Sequence, residues 1–309
     1  MDEAPSRSIR GRGACGSGAS DRQAGHHRST GRAVPGLLPL VLAVAAGCAG
    51  GPESPAPGGL AYAVPDPNPS TYVFGDTATF DVETGGMGAM EVTTSHEGVA
   101  EILFRPAADG FAVRVRIPEL SGRFINPMQD PLQVTERDLS GPLELSVGPR
   151  GSLVVTDTPT FSPELRDIVG PESLVRPLFV RLPGRAVQPG ARWVDTVRTV
   201  EEGSGTTSRA TSIITSTLVG DTLVDGERLL RIDTRAENEL TVEGMSGGVE
   251  IAQTLSGTTT GTVLWSPASR ALVERREEGQ LSGTLELPGV NAPPLSVRAT
   301  VRRSVALRP

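Results

Sequence analysis

Few residues in this sequence have side chains suited to catalysis, and they lie far apart along the chain. Gly244-Met245-Ser246-Gly247-Gly248 has the Gly-x-Ser-x-Gly spacing of a nucleophile elbow, a sharp turn that exposes a serine between a strand and a helix. Glu239-Leu240-Thr241-Val242-Glu243 supplies the preceding strand, but Val249-Glu250-Ile251-Ala252-Gln253-Thr254-Leu255 has the pattern of a second strand where the helix should begin. The histidine that would serve as base, His96, precedes the serine, whereas the elbow is followed in chain order by acid and then histidine. Ser246 is therefore expected at a glycine-rich hairpin tip. His96, beside Glu97, has a ring suited to general acid-base work but no readable nucleophile partner, and is expected as a surface residue.

The remaining charged constellations are weaker. Asp221, Asp225 and Glu227 flank a turn and offer oxygens, but without the alternating acidic spacing of a calcium loop. They read as polar hairpin residues. Arg275-Arg276 and Arg302-Arg303 are candidate grips for phosphates or lipid headgroups. On alternating strands, one member of each pair faces solvent and the other snorkels. The sequence has no lysine, so a Walker-type phosphate loop is excluded. A carboxylate pair for glycoside hydrolysis depends on spatial separation and not on sequence, though at 4% aromatic residues there is little for a sugar ring to stack on.

The two cysteines, Cys15 and Cys48, carry more information. Residues 37–47 form an apolar run preceded by Arg28 and Arg32 and closed by small residues, which is the layout of a secretory signal. At about 1.5 Å per helical residue the run is too short to span a hydrocarbon core of roughly 30 Å. Its end, Val44-Ala45-Ala46-Gly47-Cys48, resembles the lipobox of bacterial lipoproteins. That resemblance implies cleavage after Gly47 and a lipid on Cys48. Position 49 is Ala rather than Asp, which resembles the class sorted to the outer membrane of Gram-negative bacteria. The stretch from Ala49 to Gly59, rich in Gly and Pro, suits a flexible tether. Residues 1–47 are thus expected as a signal peptide with a long n-region, and 48–70 as a lipidated tether.

Processing at that point changes the chemistry available. It leaves 23 basic against 33 acidic residues, a net charge of −10 that disfavours nucleic acid and bare anionic membrane as partners. The lipid consumes the one remaining cysteine, and His96 is the one remaining histidine. Disulfides, thiolate or multi-histidine metal sites and Cys-His nucleophiles are excluded by counting, and no cofactor is expected.

Scarce aromatics and abundant Val, Thr, Leu and Gly favour strands. Apolar residues alternate in Phe111–Ile117, Leu143–Val147, Leu281–Leu287 and Leu295–Arg302, each a strand with one wet and one buried face. Gly148-Pro149-Arg150-Gly151 and Val224-Asp225-Gly226-Glu227 predict hairpin turns and hence antiparallel pairing. Ser162-Pro163-Glu164-Leu165 predicts an N-cap with proline at the first helical position, and Pro171 opens a second short helix. The expected fold is mainly β: long antiparallel, curved sheet, with one or two short helices around 162–182. It is read either as two tandem units, 71–160 and 184–309, around a helical hinge at 161–183, or as one sheet. Leu139-Ser140-Gly141-Pro142-Leu143-Glu144-Leu145 and Leu281-Ser282-Gly283-Thr284-Leu285-Glu286-Leu287 differ at one position. With the repeated Gly-Asp-Thr at 75 and 220, they are the signal for duplication.

Leu182-Pro183, Pro189-Gly190 and Trp193 resemble the segment that introduces the second half of uncharacterised β-rich envelope lipoproteins. The layout of 72–309 also resembles the lipoprotein-carrier and LppX-type half-barrels, in which a curved sheet covers short helices. The expectation is a non-enzymatic envelope lipoprotein on the periplasmic face of the outer membrane, anchored through Cys48. It would bind a lipid or other apolar or amphiphilic ligand between sheet and helices. Candidate lining residues are Phe111, Val113, Leu165, Ile168, Leu174, Leu178 and Phe179, all equally suited to plain core. The alternatives are a solid-cored scaffold docking an envelope protein partner, and a hydrolase. Expression in a Gram-negative host with labelled palmitate should tag the chain, and Cys48→Ala should abolish the label. Persistence of the label in that variant would remove the anchor.

Overall fold

A computed structural model describes residues 59–83, 88–128, 130–203, 205–246, 248–290 and 292–308. Cys48 and residues 1–58 lie outside them. The described residues form one compact unit. In chain order its elements are β1 (Ser70–Glu83), β2 (Ala89–Ala107), β3 (Gly110–Ile125), β4 (Leu132–Thr135), β5 (Leu139–Ser140), β6 (Leu143–Val147), β7 (Leu153–Asp157) and β8 (Thr160–Phe161). Then come α1 (Pro163–Ile168), α2 (Pro171–Val175) and a 3₁₀ turn (Arg176–Leu178). The chain ends in β9 (Arg192–Glu202), β10 (Thr206–Val224), β11 (Glu227–Ser246), β12 (Val249–Ser266), β13 (Ala271–Glu286) and β14 (Leu295–Arg308).

Twelve strands make one antiparallel sheet in the order β7-β6-β3-β2-β1-β14-β13-β12-β11-β10-β9, with β4 also on β3, curled into a half-barrel. Of the two layouts the sequence allows, one long curved sheet is the one adopted. β1 pairs with β2 on one side and with β14 on the other, so the parts before and after the helices share a single hydrogen-bonded ladder. The near-identical heptapeptides occupy different settings. Leu139–Ser140 is the short β5 beside β8, whereas Leu281 lies inside the long β13.

The alternation read from sequence sets the two faces. On β3, Val113, Val115 and Ile117 are buried while Arg114 and Arg116 point outward. The β10–β11 connection is a tight hairpin in which Asp225 and Gly226 both have positive φ, as a type I′ turn requires. The curl has a local cause in inner-face glycines on β12 and β13. A Cβ on Gly257 would lie 2.1 Å from the Gln280 carbonyl oxygen, and one on Gly283 would lie 1.9 Å from that of Thr254. Only glycine lets these strands close up so sharply.

The segment 161–182 packs onto the inner face. Ser162 accepts the Leu165 amide at 3.1 Å, with Pro163 in the first turn, as its sequence predicts. Leu165, Leu174, Val175, Leu178 and Leu182 are buried in the same core as Trp193, Trp265 and Phe104, so the helices join one core instead of linking two. Residues 59–69, at the end of the expected tether, also pack inward. Leu60 and Tyr62 are buried, and the Tyr62 ring meets Trp265 edge-on with centroids 5.1 Å apart. The Tyr62 hydroxyl accepts the Val180 amide at 2.8 Å, and burial pushes that phenol well above its ordinary pKa. Tyr62→Phe keeps the ring but strands a buried N–H. It should cost about 1–3 kcal/mol in chemical denaturation, and an unchanged denaturation midpoint would show that Val180 finds another acceptor.

Candidate functional site

Because directly opposed residues of antiparallel strands share a face, register alone lines up one row across the sheet. It runs His96, Asp76, Arg303, Glu277, Gly261, Thr234 and Ser216. Arg275, two residues before Glu277, is on the same inner face. These groups form a nearly closed ion network. Arg303 Nε donates to Asp76 at 2.5 Å and Arg303 Nη1 lies 3.6 Å from Glu277. Arg275 Nη2 donates to Glu277 at 2.5 Å, and its Nη1 donates to the Pro177 and Phe179 carbonyls at 3.1 and 3.2 Å. The network therefore fastens the 3₁₀ turn to the sheet.

Burial by itself would raise the Glu277 carboxyl, but Arg275 and Arg303 more than offset it and hold it below the ordinary range. Burial likewise opposes the Arg303 charge, and Asp76 and Glu277 together hold it above its usual value. His96 packs against Phe74 with ring centroids 6.2 Å apart. Burial lowers its pKa, more than nearby Asp76 raises it. The sequence reading of His96 as a surface residue is corrected here: it is only 8% exposed. Arg276, by contrast, faces outward and pairs with Glu274, and Arg302 is exposed. Arg275 and Arg303 do not snorkel as their alternation suggested, because acids meet them inside: Glu277 two residues along the same strand for Arg275, and Asp76 and Glu277 on the neighbouring strands for Arg303.

Beside this network is a partly open cavity of about 240 Å³ between the inner face of β9–β13 and residues 176–181. Its apolar wall includes Val197, Ile214, Ile232, Leu240 and Val301, and its polar lining includes Arg176, Arg181, Arg275, Glu277 and Asn238. The space exists because the facing residues are small: Ala210, Ser212 and Ala236 occupy positions where larger side chains would fill it. Of the lining candidates from sequence, Phe179 borders this cavity. Val113, Leu165, Leu174 and Leu178 are fully packed core, and Phe111 and Ile168 pack against that core. Arg176, Arg181 and the β9–β11 residues were missed, since nothing local in them signals a shared cavity. A larger and more open groove of about 1340 Å³ borders the same row at His96, Asp76, Glu277 and Arg303, and its lining residues are mainly polar or charged.

The other constellations come apart. Ser246 ends β11 opposite Val249, so it lies in a strand hairpin with no helix following. It is twelve residues along β11 from Thr234, which shares the His96 row, a separation of about 40 Å at ~3.3 Å per residue. That is far beyond proton-transfer reach. Asp221 pairs with Arg228, and Glu227 accepts from Ser266 at 2.5 Å. Among the described residues no group of three His, Cys, Asp or Glu side chains is placed to hold a metal ion.

No family model and no curated protein matches the chain in sequence. Among solved structures it is similar to the crystal structure of Neisserial surface protein A, over 76% of this chain and 94% of that one, at 8% identity and a TM-score of 0.23. At that distance the likeness carries no functional argument.

Two substitutions test the buried row. Glu277→Gln leaves Arg275 with no carboxylate and Arg303 with Asp76 alone, and should cost about 3–5 kcal/mol. In the wild type the Glu277 contribution is complete above pH 4.5 and is lost as pH falls below it, since the folded carboxyl titrates lower than the unfolded one. His96 acts earlier. Its folded pKa is depressed, so stability drops as pH falls below 6.5, and His96→Gln should flatten the profile in that window. An unchanged slope between pH 6.5 and 5 in that variant would contradict the burial of His96.

Proposed function

We propose that this chain is a lipid-anchored, non-enzymatic lipoprotein of the cell envelope that holds an apolar or amphiphilic ligand between sheet and helical segment. The observation that carries this reading is the cavity of about 240 Å³ on the inner face, walled by apolar side chains and roofed by residues 176–181. A strand array this long needs only a packed interior to be stable. Small residues at Ala210, Ser212 and Ala236 leave space where a stability-driven core would be filled. The lipobox at Cys48, with Ala49 after it, supports attachment to the periplasmic face of the outer membrane.

A second reading, docking of an envelope protein partner, has its own observation. β9 is one of the two edge strands of the sheet, and its Val194 and Val200 are 58% and 62% exposed. Such an edge is a template for strand addition. Native mass spectrometry of the purified chain separates the two. Co-purified mass of a few hundred daltons, removed by organic extraction, is the expected result. A chain that carries no small-molecule adduct, and takes up none from lipid extracts, would end the ligand reading and leave the docking one.

A further inference from the structure

The cavity has an excess of inward-facing positive charge at one end. Arg176, Arg181, Arg275 and Arg303 all line it. Of the acids that border it, Glu239 and Glu278 belong to the exposed outer face, which leaves Glu277 as the inward carboxylate. Asp76 and Glu277 occupy Arg303, while Glu277 and two backbone carbonyls occupy the terminal nitrogens of Arg275. Arg176 pairs with Glu172 through one terminal nitrogen. After those pairings Arg176, Arg275 and Arg181 keep donors with no acceptor among the described residues. The Nε–H groups of Arg176 and Arg275 are buried with no acceptor, and the Arg181 guanidinium makes no hydrogen bond among the described residues.

Unpaired buried donors cost about 1–3 kcal/mol each, and the arginines that carry them line one cavity with little opposing charge, where a bound anion would offset theirs. The electrostatics agree with the geometry. Burial pushes the Arg176 guanidinium down to about 10, and Arg181, Arg275 and Arg303 add to the effect while Glu201 opposes it. Burial also lowers Arg181, against the pull of Asp195. These cations repel one another in a poorly solvated place. The remainder of the cavity is apolar, formed by Val197, Ala210, Ile214, Ala236, Leu240 and Val301. Its volume of about 240 Å³ lies under the ~300–1,000 Å³ of drug-sized pockets, which fits one short chain better than a whole two-chain lipid.

We infer that the cavity selects an anionic single-chain amphiphile, its carboxylate or phosphate head held by Arg176 and Arg181 and its chain laid along β9–β11. This rests on the ligand-binding reading above and names the class of ligand. Arg181 is the position to change, because among the described residues its side chain makes no hydrogen bond that holds the fold together, although Asp195 attracts its charge.

Calorimetric titration of the full chain carrying Cys48→Ser, which removes its own acyl groups as competitors, provides the test. The titrants are decanoate, decyl phosphate, 1-decanol and inorganic phosphate. The two anionic amphiphiles should bind at least about tenfold tighter than decanol, the equivalent of one charge-assisted hydrogen bond. Arg181→Gln should narrow that preference to under about threefold with an unchanged melting temperature. Equal affinity for decanoate and decanol would overturn the headgroup assignment while leaving the carrier reading intact. Inorganic phosphate binding as tightly as decyl phosphate would make the ligand a free anion and overturn the amphiphile. If none of the chain-bearing ligands binds, the inference and the carrier reading fall together.

Discussion

The pairing of β1 with β14 is the constraint on which the rest of the molecule depends. Thirteen residue pairs, from Thr71 with Arg308 to Glu83 with Ser296, join the start of the fold to its end. Without that ladder, the strands before the helices and those after them would be separate sheets with two more free edges. With it, there is one inner face, one curl and one core. The same register places Asp76 opposite Arg303, and Arg303 opposite Glu277. The charged row is thus a direct product of strand alignment, and a slip of one residue would turn all of it to solvent.

Placing four charges on a buried face is expensive, and the arrangement shows how that cost is offset. Each charge meets an opposite one, and Arg275 adds two backbone carbonyls to its carboxylate. Outward pairs such as Arg298 with Glu83, 75% and 53% exposed, contribute little by comparison, because water screens them. The inner row also divides the apolar interior. On one side lies the main core with Tyr62, Trp193 and Trp265, and on the other a smaller cluster of Val82, Leu255, Leu281, Val297 and Ala299.

The roof of the cavity is fixed from several directions. Arg275 holds the carbonyls of Pro177 and Phe179, the Tyr62 hydroxyl holds the Val180 amide, and the Trp193 indole donates to the Arg181 carbonyl at 3.0 Å. These partners come from β13, from the segment before β1 and from β9. The segment 176–181 owes its place to tertiary hydrogen bonds more than to its own helical propensity, since helices of five or six residues are not stable alone. The cavity exists because a well-fixed roof faces a sheet region of small side chains.

Much of this fold is legible in the sequence. Period-two alternation gives the strands and their wet faces, as in Val113, Val115 and Ile117 against Arg114 and Arg116. The Asp225-Gly226 turn follows from the need for positive φ, and the start of α1 follows from Ser162 and Pro163. The counting of histidine and cysteine, and the lipobox reading at Cys48, also belong to sequence alone. The candidate site does not. Arg275 and Glu277 share a face by alternation, but Arg303, which also meets Glu277, and Asp76, which pairs with Arg303, are about 30 and 200 residues away in the chain. Nothing local distinguishes Arg275, which is inside and ion-paired, from Arg276, which is outside. The tertiary fold decided that, by turning Arg275 to the inner face, where Glu277 and the Pro177 and Phe179 carbonyls meet it, and Arg276 outward beside Glu274. The cavity lies further still from the sequence, because empty space is a property of what two distant segments fail to fill.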